Sequence, residues 1–161
     1  MAQMDFEQIK GVVFDLERMG VEGLPRFALA RLACEDLAYS SFGLTDFGSA
    51  SKGPALYTDD ATQWIDGEVL DRAARLERYR KREANTARKT RHVISNYLFR
   101  MTDERTGWAV YLVQVFLEDD GGKQGVVPLV VADCADHYLR QDNGIWRIAF
   151  RHLESIAGKA H

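Results

Sequence analysis

The stretch RHVISNYLFRMTDERTGWAVYLVQVFLE, residues 91–118, is two β-branched and aromatic runs joined by the polar turn Thr102 to Gly107. Downstream the pattern repeats. VVPLVVADCADHYLR (126–140) follows Asp119-Asp120-Gly121-Gly122, and IWRIAFRHLE (145–154) follows Asp142-Asn143-Gly144. Runs of this kind separated by short Gly-, Asn- and Asp-rich turns form antiparallel hairpins. The second half therefore predicts a meander with strands near 91–103, 107–118, 125–141 and 145–154.

Upstream the period changes from two to between three and four. Phe6, Ile9, Val12, Val13, Leu16 and Met19 share one helical face, with Gly20 as a stop. Gly23-Leu24-Pro25 breaks the chain, and Pro25 suits the first turn of a second helix. Phe27, Ala30, Leu32, Ala33, Leu37 and Phe42 give that helix its apolar stripe. GSASKGP (48–54) reads as a loop, and ALYTDDATQWIDG (55–67) reads as a turn at Asp59-Asp60 leading to a third helix from Glu68. Leu70, Ala73, Ala74, Leu76 and Tyr79 are its expected buried side. In its basic run, Glu68/Arg72, Asp71/Arg75 and Glu77/Lys81 stand four apart, which predicts a solvated helix face. Helices first and an antiparallel meander afterwards is an α+β pattern, with helices on one face of the sheet. Residues 1–24 would form a helix and linker, and 25–161 the α+β domain.

The 161 residues are 46% hydrophobic and 28% charged, enough for one core and too few for two ordinary domains. A net charge of −3 argues against nucleic acid as a partner. Cys34 and Cys134, the two cysteines, form no CxxC pair or metal-type cluster, and two buried thiols in a reducing compartment are expected. MAQMDFEQIK has no signal-peptide apolar stretch, and no apolar run reaches the roughly 18 residues that span a bilayer. A cytoplasmic protein without membrane contact is the expectation.

No GxSxG, phosphate loop, HExxH or dinucleotide fingerprint occurs, so neither a cofactor nor a metal is called for. Candidate chemistry rests on polar residues set in apolar elements. Alternation places His92 on one strand face with Ile94, Asn96 and Leu98. Asp46 stands between Leu44 and Phe47 just past the second helix. A carboxylate beside an imidazole makes a general base that works near neutral pH. Trp108, Tyr111, Phe116, Tyr138 and Trp146 read as core or dimer-interface aromatics, and His137 and His152 as surface or hydrogen-bonded residues. Asp133 and Asp136, three apart on one strand, point to opposite faces. One face of VYLVQVFL needs cover, which predicts a homodimer through the sheet.

Three segments carry a family resemblance. TRHVISN (90–96) resembles the start of the first long strand in SnoaL-like proteins and in ring-hydroxylating dioxygenase β subunits. LYTDDA (56–61) resembles a stretch that ends the second short helix of the SnoaL-like group. DHYLRQDNGIWRIAFRHLE (136–154) resembles the closing hairpin. The resemblance covers roughly Leu29 to Glu154 and implies the nuclear transport factor 2-like, or cystatin-like, fold. In that fold a strongly curved antiparallel sheet forms a cone with helices on its concave face. The resemblance to scytalone dehydratase and lindane dehydrochlorinase relatives implies that His92 is a proton-abstracting base and Asp46 its orienting carboxylate. It implies a small apolar, cyclic substrate, an anion-binding role for Arg151, and a pocket that also takes in Tyr39, Phe42, Asn96 and Tyr138. The implied activity is a cofactor-independent lyase, isomerase or cyclase. A plain ligand-binding domain and a dioxygenase-β-like assembly subunit are the alternatives. The loop after Asp46 reads FGSASKG, where relatives carry an acidic residue and a tryptophan, and Asp15 is a rival carboxylate.

Overall fold

In the computed structural model, described over residues 5–14, 24–118 and 129–158, the meander forms as its pattern requires. Strands β3 (Lys89–Asp103), β4 (Thr106–Glu118), β5 (Val130–Arg140) and β6 (Trp146–Ala157) pair antiparallel in chain order. Two further strands extend the sheet beyond β6. β1 (Tyr57–Ile65) lies parallel to β6, and β2 (Glu68–Leu70) pairs antiparallel with β1, giving the order β2-β1-β6-β5-β4-β3. The sheet is thus mixed.

The segment around Asp59-Asp60 is therefore strand, not turn. Its register against β6 slips between Tyr57 and Thr62, and both aspartates face solvent in that irregularity. The real turn is Asp66-Gly67, where both residues have positive φ, 49° and 93°. That is the backbone a two-residue hairpin demands, and it favours Asp-Gly. The Asp66 carboxylate also accepts hydrogen bonds from the Ser155 amide and hydroxyl at 2.7 and 2.8 Å, which fixes the hairpin to β6.

Helix α1 (Phe6–Val13) opens with a capping box. Asp5 accepts from the Gln8 amide at 2.8 Å, and the Gln8 side chain accepts from the Asp5 amide at 3.2 Å. The expected extension to Met19 lies outside the described residues. α2 (Leu24–Asp46) runs past Phe42 to Asp46, and buries Ala30, Cys34, Leu37, Ala38 and Ser41 against the sheet. α3 (Arg72–Ala84) starts after β2, with Asp71 as its N-cap accepting from the Ala74 amide at 2.9 Å. Of its expected buried side, Leu70 is buried, on β2, and Tyr79 packs against the core, whereas Ala73 and Ala74 are exposed. Leu76 is exposed, whereas Arg75 is 1% exposed, donates to the Ala61 carbonyl at 2.6 Å and lies over the Tyr57 ring at 4.6 Å. Arg72 pairs with Asp59 rather than with Glu68, and only the Glu77–Lys81 pair, at 3.6 Å, stands as spaced.

The two sheet faces have separate cores. α2 covers the inner side chains, among them Tyr97, Phe99, Tyr111, Val113, Tyr138 and Ile148. α1 lies on the opposite face, where Phe6, Ile9 and Val13 meet Ala135, Phe150, Trp64, Trp108 and Val110. Part of the face expected to need a second copy is thus covered by the chain itself. His137 and His152 are there, and they are buried rather than at the surface. His137 stacks on Trp108 at 4.2 Å, and His152 lies between Trp64 at 4.0 Å and Phe6 at 4.8 Å.

Burial lowers the His137 pKa from the ordinary 6.5 to about 4. The unfolded chain then takes up a proton at a higher pH than the folded one. Stability from this residue is full above pH 6.5 and falls as the pH drops towards 4, by up to roughly 3 kcal/mol. Urea midpoints should fall across that window and fall less in His137→Phe, which keeps the stack. Equal slopes for both proteins would refute this.

Candidate active site

β3 enters the sheet beside the C-terminus of α2, and this crossing brings Asp46 to His92. The Asp46 Oδ1 atom is 2.6 Å from His92 Nδ1, and the His92 backbone amide donates to Oδ2 at 2.7 Å. Thr90, two residues earlier on the same strand, donates its hydroxyl to Oδ1 at 2.9 Å. Arg91 reaches the Asp46 backbone carbonyl at 3.0 Å. The side chains of His92 and Asp46 are only 12% and 6% exposed.

Burial pushes the Asp46 carboxyl up. The hydrogen bonds from the His92 ring, its amide and Thr90, with attraction to a charged imidazole, outweigh burial and hold the pKa below the ordinary value. An ionised carboxylate only accepts hydrogen bonds, so the proton between the two groups belongs to Nδ1. In the neutral ring this leaves the lone pair on Nε2. His92 lines a cavity of about 350 Å³ beneath α2 and α3, and no partner for Nε2 occurs among the described residues. Phe42 shares the wall and packs on the imidazole at 5.0 Å between ring centres.

Arg151 also reaches the cavity wall, but as half of a buried ion pair. Its Nε and Nη2 each donate to Asp136 at 2.7 Å, and its Nη1 donates to Ser41 Oγ at 2.6 Å. Tyr111 and Tyr138 donate their hydroxyls to the same carboxylate at 2.8 and 2.7 Å. Asp136 is fully buried, and the pattern of charges on the sequence did not single it out as a site residue. Its signal was available, because Asp136 and Arg151 are opposite charges inside apolar strands that pair in adjacent positions.

Three expected pocket residues lie elsewhere. Tyr39 is on the solvent side of α2, 45% exposed, with its hydroxyl on Glu35 at 2.7 Å. Tyr138 belongs to the buried Asp136 network, where it also accepts from the Tyr97 hydroxyl at 3.2 Å. Asn96 points outward because β3 has an irregularity between Ser95 and Leu98, and Asn96 takes φ 55° within it. One extra residue reverses the alternation, so Tyr97 and Phe99 follow His92 and Ile94 on the inner face. The rival Asp15 lies outside the described residues.

The basic run missed by an assignment to solvent supplies the far wall. Arg78, Lys81 and Arg82 of α3 line the cavity with Asn85 and Arg88. Arg82 donates to Thr90 Oγ1 at 3.1 Å, so a chain of hydrogen bonds runs from α3 through Thr90 to Asp46. Val113, Val115, Val130 and Ala132 form the apolar side on β4 and β5.

Comparison with known proteins fits this architecture. A protein from Novosphingobium aromaticivorans DSM 12444, assigned as a scytalone dehydratase, is 15% identical, with a TM-score of 0.73 over 86% of this chain and 92% of that one. From the same organism, the β subunit of an assigned aromatic-ring-hydroxylating dioxygenase is 14% identical, with a TM-score of 0.71 over 83% and 94%. A third, an NTF2-like protein with a cystatin-like fold, is 20% identical, with a TM-score of 0.68 over 88% and 95%. At these identities the likeness is one of fold. No curated protein matches the sequence. No helix among the described residues is long and apolar enough to cross a membrane. The family model described as a SnoaL-like domain matches residues 26–152, and the chain belongs to that family.

Proposed function

We propose that this SnoaL-like domain is a cofactor-independent lyase, isomerase or cyclase in which His92 takes a proton from a small cyclic substrate. The supporting observation is the 2.6 Å contact of a buried Asp46 carboxylate with Nδ1 of an imidazole whose other edge borders a cavity. In the proposed step, Nε2 removes a proton from a carbon next to an electron-withdrawing group. The electron pair left behind moves onto that group or expels a leaving group from the neighbouring carbon. Asp46 steadies the imidazolium, which afterwards returns its proton to the substrate or to the leaving group. A base, an orienting acid and a site that limits water suffice for this.

Proton abstraction can be read without the natural product. A panel of cyclic ketones in deuterium oxide should show protein-dependent exchange of the acidic C–H for at least one member. His92→Ala should slow that exchange by about 10²–10⁴, the contribution of a positioned general base, without loss of fold. Exchange at the buffer rate across the panel would favour a ligand-binding domain instead. The assembly-subunit reading and the homodimer exclude each other, and either draws on Val93 and Leu98. Both are exposed on the outer face of β3, where a partner or a second copy would cover them.

A further inference from the structure

Among the described residues, every formally charged side chain on the cavity wall is basic: Arg78, Lys81, Arg82, Arg88 and Arg151. The chain as a whole has 24 acidic and 21 basic residues, so composition does not explain this. Arg151 is neutralised by Asp136. Lys81 has Glu77 at 3.6 Å. Arg78 and Arg82 differ, since no carboxylate lies within ion-pair distance of either among the described residues. Arg82 gives its hydrogen bonds to neutral oxygens, the Thr90 hydroxyl at 3.1 Å and the Asn85 carbonyl at 3.3 Å. Burial lowers its pKa and the nearby charge of Arg88 lowers it further, with the Asp46 carboxylate offsetting only part of this. Guanidinium groups gathered in a partly buried cavity repel one another, and an entering anion relieves that repulsion in a medium where charges interact strongly.

The opposite wall is apolar, with Val113, Val115, Val130, Ala132 and Leu153. His92 and Phe42 also border the same space. We propose that the ligand of this cavity is an organic carboxylate, with an apolar body on the β4–β5 valines and its anionic group on Arg78 and Arg82. This rests on the reading of the cavity as a small-molecule site and adds the charge of the molecule it takes. A planar guanidinium matches a carboxylate with two parallel hydrogen bonds, which fixes orientation as well as affinity. Because Arg82 also holds Thr90, and Thr90 holds Asp46, an anion on Arg82 sits one hydrogen-bonded chain from the dyad. The carboxylate would anchor the substrate at α3 and direct its carbon skeleton towards the sheet.

The test is a titration of the ¹⁵N-labelled full chain with 2-naphthoate and its neutral isostere 2-naphthamide, followed by the amides of Thr90, His92, Val113 and Val130. Naphthoate should bind at least about tenfold more tightly than naphthamide, and added salt should weaken naphthoate alone. Arg78→Met and Arg82→Met should each weaken naphthoate about tenfold and leave naphthamide unchanged. Arg78→Met decides the matter by itself if Arg82→Met does not fold. Equal affinities for the two probes, or variants that weaken both alike, would overturn the anion site while the cavity stays a small-molecule site. If neither probe shifts a cavity amide, the cavity reading falls together with it.

Discussion

Asp136→Ala is expected to destabilise the protein by about 3–5 kcal/mol, the cost of breaking a buried ion pair from one side. The carboxylate is 0% exposed and accepts four hydrogen bonds, two from Arg151 and one each from Tyr111 and Tyr138. Alanine leaves a guanidinium that is 1% exposed without its counter-charge, and two buried phenols without their acceptor. A guanidinium does not give up its proton in a protein, so the cation cannot escape by becoming neutral. Replacing both partners by apolar residues, as in Asp136→Leu with Arg151→Met, should cost much less than the single change. Urea denaturation of the three proteins measures the difference. A single-mutant cost below about 1 kcal/mol would show that water or another group replaces the carboxylate. The same network ties β6 to α2 through Arg151 and Ser41, five residues before Asp46. Its loss should therefore also loosen the dyad.

Asp46→Asn should keep the fold and slow the His92-dependent exchange by about 10²–10⁴. A triad aspartate changed to asparagine costs rate on that order by leaving the wrong tautomer. Asp46 accepts three hydrogen bonds, from the Thr90 hydroxyl, the His92 amide and the His92 ring. Asparagine has one accepting atom and one donating group in their place. An amide N–H facing Nδ1 forces the ring proton onto Nε2, the atom that must accept the substrate proton. Long-range ¹H–¹⁵N spectra of the ring report which nitrogen is protonated, independently of any turnover. An unchanged exchange rate with the proton on Nε2 would remove His92 from the role of base. The carboxyl also contributes stability, since its folded pKa is depressed. That contribution is complete above the unfolded value of about 3.9 and is lost as the pH falls through the folded one, so the asparagine variant should lack this acid sensitivity.

The sequence by itself determined the four long strands, because alternating apolar runs and Gly-, Asn- and Asp-rich turns are local physics. It also determined the second helix as far as Phe42, which the structure extends to Asp46, and TRHVISN supplied Thr90 and His92 as a strand start. Local pattern does not show which residues an irregular strand turns outward. At Asn96 one extra residue reversed the alternation, and at Asp59-Asp60 two solvent-facing carboxylates gave a strand the look of a turn. Nor does helical spacing show what a charged face will meet. The run from Arg75 to Arg88 looked solvated because its own acids are spaced to pair with it. The tertiary structure instead buried Arg75 on Tyr57 and Ala61 and placed Arg78 and Arg82 on a cavity. The pairs Asp46–His92 and Asp136–Arg151 are separated by 46 and 15 residues. Only packing of α2 against β3 and the register of β5 on β6 bring them into contact, since hydrogen bonds between distant residues depend on distances that the folded chain alone sets.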